Sequence, residues 1–550
     1  MSRSQQQIAN ERRRRLHHEA DVVVVGAGVF GCAMAFALAK QGRSVLLLER
    51  SLREPDRIVG ELLQPGGCSA LQKLGLGGCL EGIDAVKVVG YEVIHYGKRV
   101  NIPYPANEES KRPEGRSFHH GRFISQLRKS CSGQPNITIV ETEVTDTITS
   151  SHNPQVLGVR SRTPNKDTGR KEMDSYFGQL TIIADGYASK FRKQYIHKQP
   201  LVKSKFYALE LLDCPMPAPN HGIVVLGDAS PVLLYQIGTH ETRCLMDVPN
   251  NIPSASTAAG GVRSYFRKVV LPSLPSQVQP CFEKALEDGK IPPSMPNSFL
   301  PPSTQGEKGL VLLGDAMNMR HPLTGGGMTV AFSDVVLLSE LLAPEKIPNL
   351  GDTAAIQRAM KEFHWKRKGL STIINILSMG LYSLFAANDR HLKALRKGCF
   401  AYFERGGSCI DGPSGLLAGI IRQPMCSGPL GEKCINTCVL PASGPYFPRD
   451  QYEAATLESF FLTYPPTLVQ GNPPPNRIPR TTSTPFNGRY NLTVHLCRVC
   501  NRSLSKPNLC GKTGEECPAN GLAPADWPVS SRVDDFCSKE HENYYNTGEE

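Results

Sequence analysis

Up to about residue 424 the chain alternates short apolar runs with longer stretches of helical periodicity, and beyond it both patterns fail. Asp21-Val22-Val23-Val24-Val25 is apolar and β-branched without alternation, which predicts a strand covered on both faces, as in a parallel sheet. Helical spacing follows from Cys32 to Gln41 and stops at Gly42, and Ser44-Val45-Leu46-Leu47-Leu48-Glu49 predicts a second buried strand that ends in an acid. Further buried strands are expected at Gln179–Ala184 and Val311–Leu313, and alternating, paired strands at Tyr91–Tyr96 and Arg99–Tyr104. Short strands are expected at 137–140 and 157–159. Helices are predicted over 68–74, 119–128, 329–342 and 353–377. Between 200 and 300 the texture changes to strands at 223–225, 232–237 and 243–248, followed by a helix-rich piece at 262–286. Proline-rich polar runs such as Pro473-Pro474-Pro475 mark 425–550 as a disordered tail rich in Pro and Cys.

The spacing of glycines gives these elements a chemistry. Gly26-Ala27-Gly28-Val29-Phe30-Gly31 lies between the first strand and the first helix, and Glu49 closes the next strand near the roughly 20-residue offset of a ribose-binding acid. In that context Gly26 makes the turn and Gly28 lets backbone touch a pyrophosphate. Gly31 lets helix pack on strand, and the helix dipole favours the phosphate charge. Two later strand ends repeat the theme. Ala184-Asp185-Gly186 ends one, and Gly314-Asp315 the other, where an acid can hold a polyol hydroxyl and Gly325-Gly326-Gly327 can bring bare backbone against a flat ring.

Composition narrows the partners. At 550 residues and 40% hydrophobic, the chain can bury a large core in two or more domains, which excludes a disordered or fibrous protein. The net charge of +11 is partly gathered in Arg12-Arg13-Arg14-Arg15 without interleaved aromatics, so no nucleic acid is expected. A membrane surface or a redox partner protein fits a basic balance better, and a plainly solvated run fits these four arginines best. Residues 1–20 are expected to form a flexible basic arm, since they lack the apolar core of a signal peptide. No segment reaches the roughly 18–20 uninterrupted apolar residues of a spanning helix. The nearest, Ile373–Ala387, is read either as a membrane-surface amphipathic helix or as a core helix. Nine of 17 cysteines precede residue 420 without regular spacing, as reduced cytosolic thiols would, and Cys497, Cys500, Cys510 and Cys517 lack zinc-knuckle spacing, so no metal is expected.

The order of the three cofactor elements resembles flavin monooxygenases built like aromatic-ring hydroxylases. Three longer stretches, Asp56 to Gly67, Phe118-His119-His120-Gly121-Arg122-Phe123 and Gly314 to Ala331, are similar to the squalene monooxygenase (squalene epoxidase) family over residues 20–423. The resemblance implies an α/β fold: a Rossmann-like FAD-binding domain of the aromatic-hydroxylase type, an inserted antiparallel-sheet substrate domain, and C-terminal helices. Residues 21–200 would be the first part of the FAD domain, with strands near 88–105 belonging to the substrate domain. Residues 201–300 would form the substrate domain, 301–345 the return to FAD, and 346–424 membrane-associated helices.

It also implies epoxidation of squalene to (S)-2,3-oxidosqualene in sterol biosynthesis. The oxidant would be O2, electrons would come from NADPH through cytochrome P450 reductase, and the site of action would be the cytosolic face of the endoplasmic reticulum membrane. Motif by motif, it implies that Val29 and Phe30 lie at the pyrophosphate turn, and that Glu49 and Arg50 contact the adenosine ribose. Arg57, Leu62, Arg122, Val144, Asp315 and Met328 would complete the FAD contacts. Tyr91 is the implied active-site tyrosine, with Gln64 as its hydrogen-bond partner. Because the flavin carries the oxygen chemistry, no general base is assigned to His119, His120 or His321. Two other readings remain: a hydroxylase of an aromatic or quinone ring, and an inactive flavin-binding form whose tail serves interactions.

Overall fold

The computed structural model describes residues 4–107, 109–164, 170–287, 291–387 and 389–421, so the 425–550 tail and its four spaced cysteines lie outside the described residues. Where a flexible basic arm was expected, the chain forms a helix, α1 (Gln5–Leu16), opened by a Ser4–Gln7 capping box. Arg14, only 1% exposed, donates to Thr138 Oγ1 (2.9 Å), Ser44 Oγ (2.8 Å) and the Pro135 carbonyl (2.7 Å). A helix turns part of any charge run toward the body, which a reading of the run as solvated overlooks.

Next come β1 (Glu19–Val25), α2 (Val29–Lys40) and β2 (Val45–Glu49), the predicted βαβ unit, with β1 and β2 parallel and Val24 opposite Leu47. After them the chain forms β3 (Leu62–Leu63), α3 (Pro65–Lys73), β4 (Val86–Val88), β5 (Gly90–His95), β6 (Lys98–Pro103) and β7 (Gly115–Ser117). Then follow α4 (His120–Ser132), β8 (Ile137–Glu141), β9 (Glu143–Thr149), β10 (Val156–Pro164) and the long β11 (Lys171–Ile183). The cofactor sheet runs β8-β2-β1-β11-β10-β9. Along β11, Phe177–Ile183 lies parallel to β1 while Lys171–Phe177 pairs antiparallel with β10, so one strand carries both the parallel core and a β-hairpin flap.

A short α5 (Arg192–Tyr195) leads to the second sheet, whose strands are β12 (Leu201–Leu212), β13 (His221–Leu226), β14 (Val232–Gln236), β15 (Glu241–Pro249) and, after α6 (Gly261–Tyr265) and α7 (Gln279–Glu287), β16 (Ser294–Phe299). Its order is β16-β12-β15-β14-β13-β5-β6, antiparallel except for the parallel pair β5–β13. One face packs on α6 and α7 through Leu211, Leu234, Met246, Phe266 and Phe282; the other takes Tyr382, Phe385, Phe400 and Phe403 from the C-terminal helices.

β17 (Leu310–Leu312) returns to the first sheet beside β11, Ile182 opposite Val311, and leads through two single turns to α8 (Gly327–Leu341). The single helix predicted over 353–377 is two, α9 (Thr353–Lys366) and α10 (Lys368–Ala386), divided where Arg367 turns inward to bind Asp334 of α8 at 3.0 and 2.6 Å. α11 (Arg390–Glu404) and α12 (Ser408–Leu417) follow. Just beyond α12 the backbone crosses the start of α3. The Gly66 amide donates to the Ala418 carbonyl (2.9 Å), and a Cβ on Gly66 would collide with the Gly419 carbonyl.

Candidate active site

A cavity of about 760 Å³ runs from the strand ends of the cofactor sheet to the inner face of the second sheet. At its first end Gly26, with φ +101°, sits where a Cβ would come within 2.5 Å of the Ala184 carbonyl, whereas nothing lies within 4 Å of a Cβ on Gly28. The turn therefore presses one glycine against the neighbouring strand and leaves the other's backbone open at the start of α2, the arrangement that admits a phosphate. Glu49 accepts from the Ala27 amide at 2.7 Å, and Arg128 of α4 stands 3.6 Å from it while donating to the Ala27 carbonyl at 3.0 Å.

Of the residues singled out from the sequence, Gly26, Gly28, Val29, Phe30, Glu49, Arg50, Arg57, Leu62, Gln64, Tyr91, Val144, Asp185, Asp315, Gly325, Gly327 and Met328 line this cavity. Three do not. A Cβ on Gly31 would strike the Gly26 carbonyl, so this glycine serves packing, and one on Gly326 would lie 2.5 Å from Ile374 of α10. Arg122 turns away toward Asp84, 3.9 Å distant, and from the same helix Arg128 reaches the cavity. The six-residue offset between the two places them on different faces of α4, which a linear motif does not show.

The middle of the cavity is built by two loops held together by one side chain. Arg192, buried behind them, donates to the carbonyls of Gly186 (3.2 Å), Tyr187 (2.8 Å), Asp315 (3.0 Å) and Ala316 (3.0 Å). Asp315 is thereby left exposed at the cavity, and Asp185 keeps a buried Oδ1 with no hydrogen-bond partner. Burial pushes the Asp185 carboxyl above its usual range. A buried acceptor without a donor is costly, and the hydroxyls of a dinucleotide would supply one.

Toward the second sheet the lining becomes apolar, with Ile223, Val224, Leu233, Leu245, Met295 and Leu323. Tyr91 stands in this wall, half-buried, its hydroxyl buried without a hydrogen bond of good geometry, and burial raises its pKa far above the ordinary phenol value. The expected Tyr91–Gln64 contact is shared with a second tyrosine: Gln64 accepts from the Tyr104 hydroxyl at 2.6 Å and donates to the Thr324 carbonyl at 2.8 Å, and both Gln64 and Tyr104 act on the Tyr91 hydroxyl. Tyr104 packs edge-on to Tyr91 at 5.7 Å. Gln64 so ties the tyrosine pair to the loop that precedes Gly325.

One ion pair interrupts the apolar wall. Glu61, 1% exposed, receives two bonds from Arg243 of β15 (2.9 and 2.8 Å) and a third from the Tyr235 hydroxyl (3.1 Å). Two histidines are held neutral by burial, His120 at about 4 with its Nδ1 2.8 Å from the Gly60 carbonyl, and His321 at about 3. Tyr104, Arg128 and Arg243 carry no signal in the sequence, because no local spacing distinguishes them from surface charges or strand aromatics, and Glu61 and Arg320 lie inside the quoted motifs without being singled out there.

A Rossmann glycine turn, two acid-bearing loops and an apolar chamber in one cavity define an FAD-dependent oxidoreductase of the monooxygenase type. Residues 21–55 match the FAD dependent oxidoreductase model, and residues 177–427 match that of Squalene epoxidase. Squalene epoxidase ERG1 of Gibberella zeae is 62% identical over 432 residues, covering 76% of this chain and 86% of that protein. Squalene monooxygenase of Mus musculus is 44% identical, covering 74% and 69%. The chain belongs to the squalene epoxidase family. In fold it also resembles p-nitrophenol 4-monooxygenase PnpA from Pseudomonas putida DLL-E4, at a TM-score of 0.57 and 18% identity over 73% of this chain and 97% of that one.

Proposed function

We propose that this chain epoxidises squalene to (S)-2,3-oxidosqualene in sterol biosynthesis, using FAD and O2, with electrons from NADPH delivered by cytochrome P450 reductase. The observation that carries this reading is the single cavity with a phosphate-ready glycine turn at one end and an apolar chamber at the other. FAD, when bound, supplies the electron transfer and the activation of oxygen. The protein's share is to bind, orient and keep water out.

Gly26 to Phe30 and the α2 N-terminus would take the pyrophosphate, Glu49 and Arg50 the adenosine ribose, and Asp315 the ribityl chain. Arg57, Leu62, Val144, Asp185 and Met328 would complete the cradle, with Arg128 in the place the motif gives to Arg122. Gly325 and Gly327 would face the ring, and Gly326 would support them from behind. Tyr91 would close the chamber, with Gln64 fixing the loop beneath it. Neutral histidines suit a reaction that asks the protein for no general base.

We place the enzyme on the cytosolic face of the endoplasmic reticulum membrane. Its α10 has 19 residues with a mean hydropathy of 1.5, and 39% of its apolar stretch is buried, which supports a helix shared between the body and a lipid surface. Purified protein supplied with FAD, NADPH, reductase and squalene in detergent is expected to yield oxidosqualene. Bound flavin with no epoxide, or oxidation of phenols instead of squalene, would overturn the reading.

A further inference from the structure

Beneath the glycines that open α8 lies a cation without a counter-ion. Arg320 is 8% exposed, lines the cavity, and spends its hydrogen bonds on neutral acceptors: Asn375 Oδ1 (2.8 Å), Asn318 Oδ1 (2.7 Å), and the carbonyls of Asn318 (3.2 Å) and Gly327 (3.4 Å). Among the described residues no carboxylate lies within 4.0 Å of it. The second buried guanidinium nearby, Arg367, occupies Asp334 with two bonds and also reaches Asn318 Oδ1 at 3.2 Å. Asp315 acts on Arg320 only at longer range and is itself exposed at the cavity. Two buried cations thus face one buried anion. The surplus charge sits directly under the backbone, since a Cβ on Gly327 would lie 3.9 Å from Arg320 Nη1. The N-terminal end of α8 adds its own positive potential there.

A buried charge with no counter-ion is expensive, and hydrogen bonds to neutral acceptors offset only part of that cost. Such a cation makes sense where its partner comes and goes. We propose that Arg320 is the charge partner of the two-electron-reduced isoalloxazine, which lacks a permanent anion so that the cofactor supplies one in each turnover. Reduction brings two electrons from the reductase and one proton to N5, and it leaves a negative charge on the N1 side of the ring. The charge about N1 and N5 is what a protein tunes in a flavin. Arg320 would favour that anion, raise the midpoint potential, and so help the cofactor accept electrons from an outside donor. The inference rests on the FAD reading.

Asn375→Asp supplies the test. It keeps the acceptor for Arg320 Nε and nearly the same shape, but gives the guanidinium a permanent counter-ion. The variant is expected to bind FAD and to show a midpoint potential lower by about 30 mV or more, a tenfold change for a two-electron couple. Sulfite, which adds at N5 and also places negative charge on the N1 side, is expected to bind at least tenfold more weakly. Arg320→Gln should shift both readouts the same way, and Arg320→Lys should restore part of each. Flavin bound to Asn375→Asp with unchanged potential and sulfite affinity overturns the role given to Arg320 and leaves the FAD reading intact. A parent protein that takes up no FAD overturns both.

Discussion

Asp315 illustrates how a single carboxylate can be both readable and testable. It follows a buried strand and stands exposed at the cavity because Arg192 holds its backbone from behind. Asp315→Ala should leave the fold intact and release FAD, read as loss of yellow colour through gel filtration. Tyr91 was legible only through its motif, and its hydroxyl meets Gln64 and Tyr104 without a hydrogen bond of good geometry to either. Tyr91→Phe should therefore change stability by no more than about 1 kcal/mol, and keep FAD while losing turnover; full turnover would make Tyr91 a packing residue. Asp247 was not legible at all, being one polar position in a β15 strand. Burial raises its carboxyl to about 7, with Asn297 donating at 2.9 Å and the neutral His321 facing it at 3.9 Å. The folded chain keeps this proton where the unfolded chain has released it, so the contribution of Asp247 to stability should fall as pH rises from about 4 to about 7 and then level off, opposite in sign to the contributions of the buried His120 and His321. Asp247→Asn should remove that fall, which runs at up to about 1.4 kcal/mol for each pH unit crossed, in denaturant titrations at pH 4.5 and 8.

At the scale of elements, what could be read was what is local. The βαβ unit at 21–49 announced itself because a β-branched run, a glycine turn and an acid are neighbours in the chain. β12 did not, because its buried positions switch face: Ser204, Phe206 and Ala208 are buried on one side, alternating with exposed Lys203 and Lys205, and Leu209 and Leu211 are buried on the other around an exposed Glu210. Which face of α4 meets the cavity depends on docking and not on spacing, and so the motif points to Arg122 where Arg128 stands. α1 is the larger surprise, and its anchor can be weighed. Arg14→Ala abandons the Pro135 carbonyl and two hydroxyls, and should cost about 2–3 kcal/mol, seen as a lowered melting temperature with FAD still bound.

Across the whole molecule, two deeply buried links tie together elements far apart in the chain. Glu61 belongs to the loop before β3, Arg243 to β15, and their bidentate pair ties the small sheet β3-β7-β4 to the second seven-stranded sheet. Glu61→Gln leaves the buried Arg243 only the exposed Glu210, 3.6 Å away, as its anion and should cost about 3 kcal/mol, whereas replacing both partners with apolar residues of similar volume should recover most of it; equal losses in single and double variants, measured by chemical unfolding, would deny the link. The other join is the crossing of Gly419 over Gly66. Gln64, which caps α3 and holds the loop before Gly325, belongs to a wall braced by residues synthesised hundreds of codons later. A ribosome that has delivered every cofactor-lining residue has therefore still not delivered the strap that braces them, and such distant pairings are slow to form. Until Ala418 and Gly419 emerge and settle, the nascent chain presents an unbraced greasy chamber to the cell, the stage at which a holding chaperone would matter most.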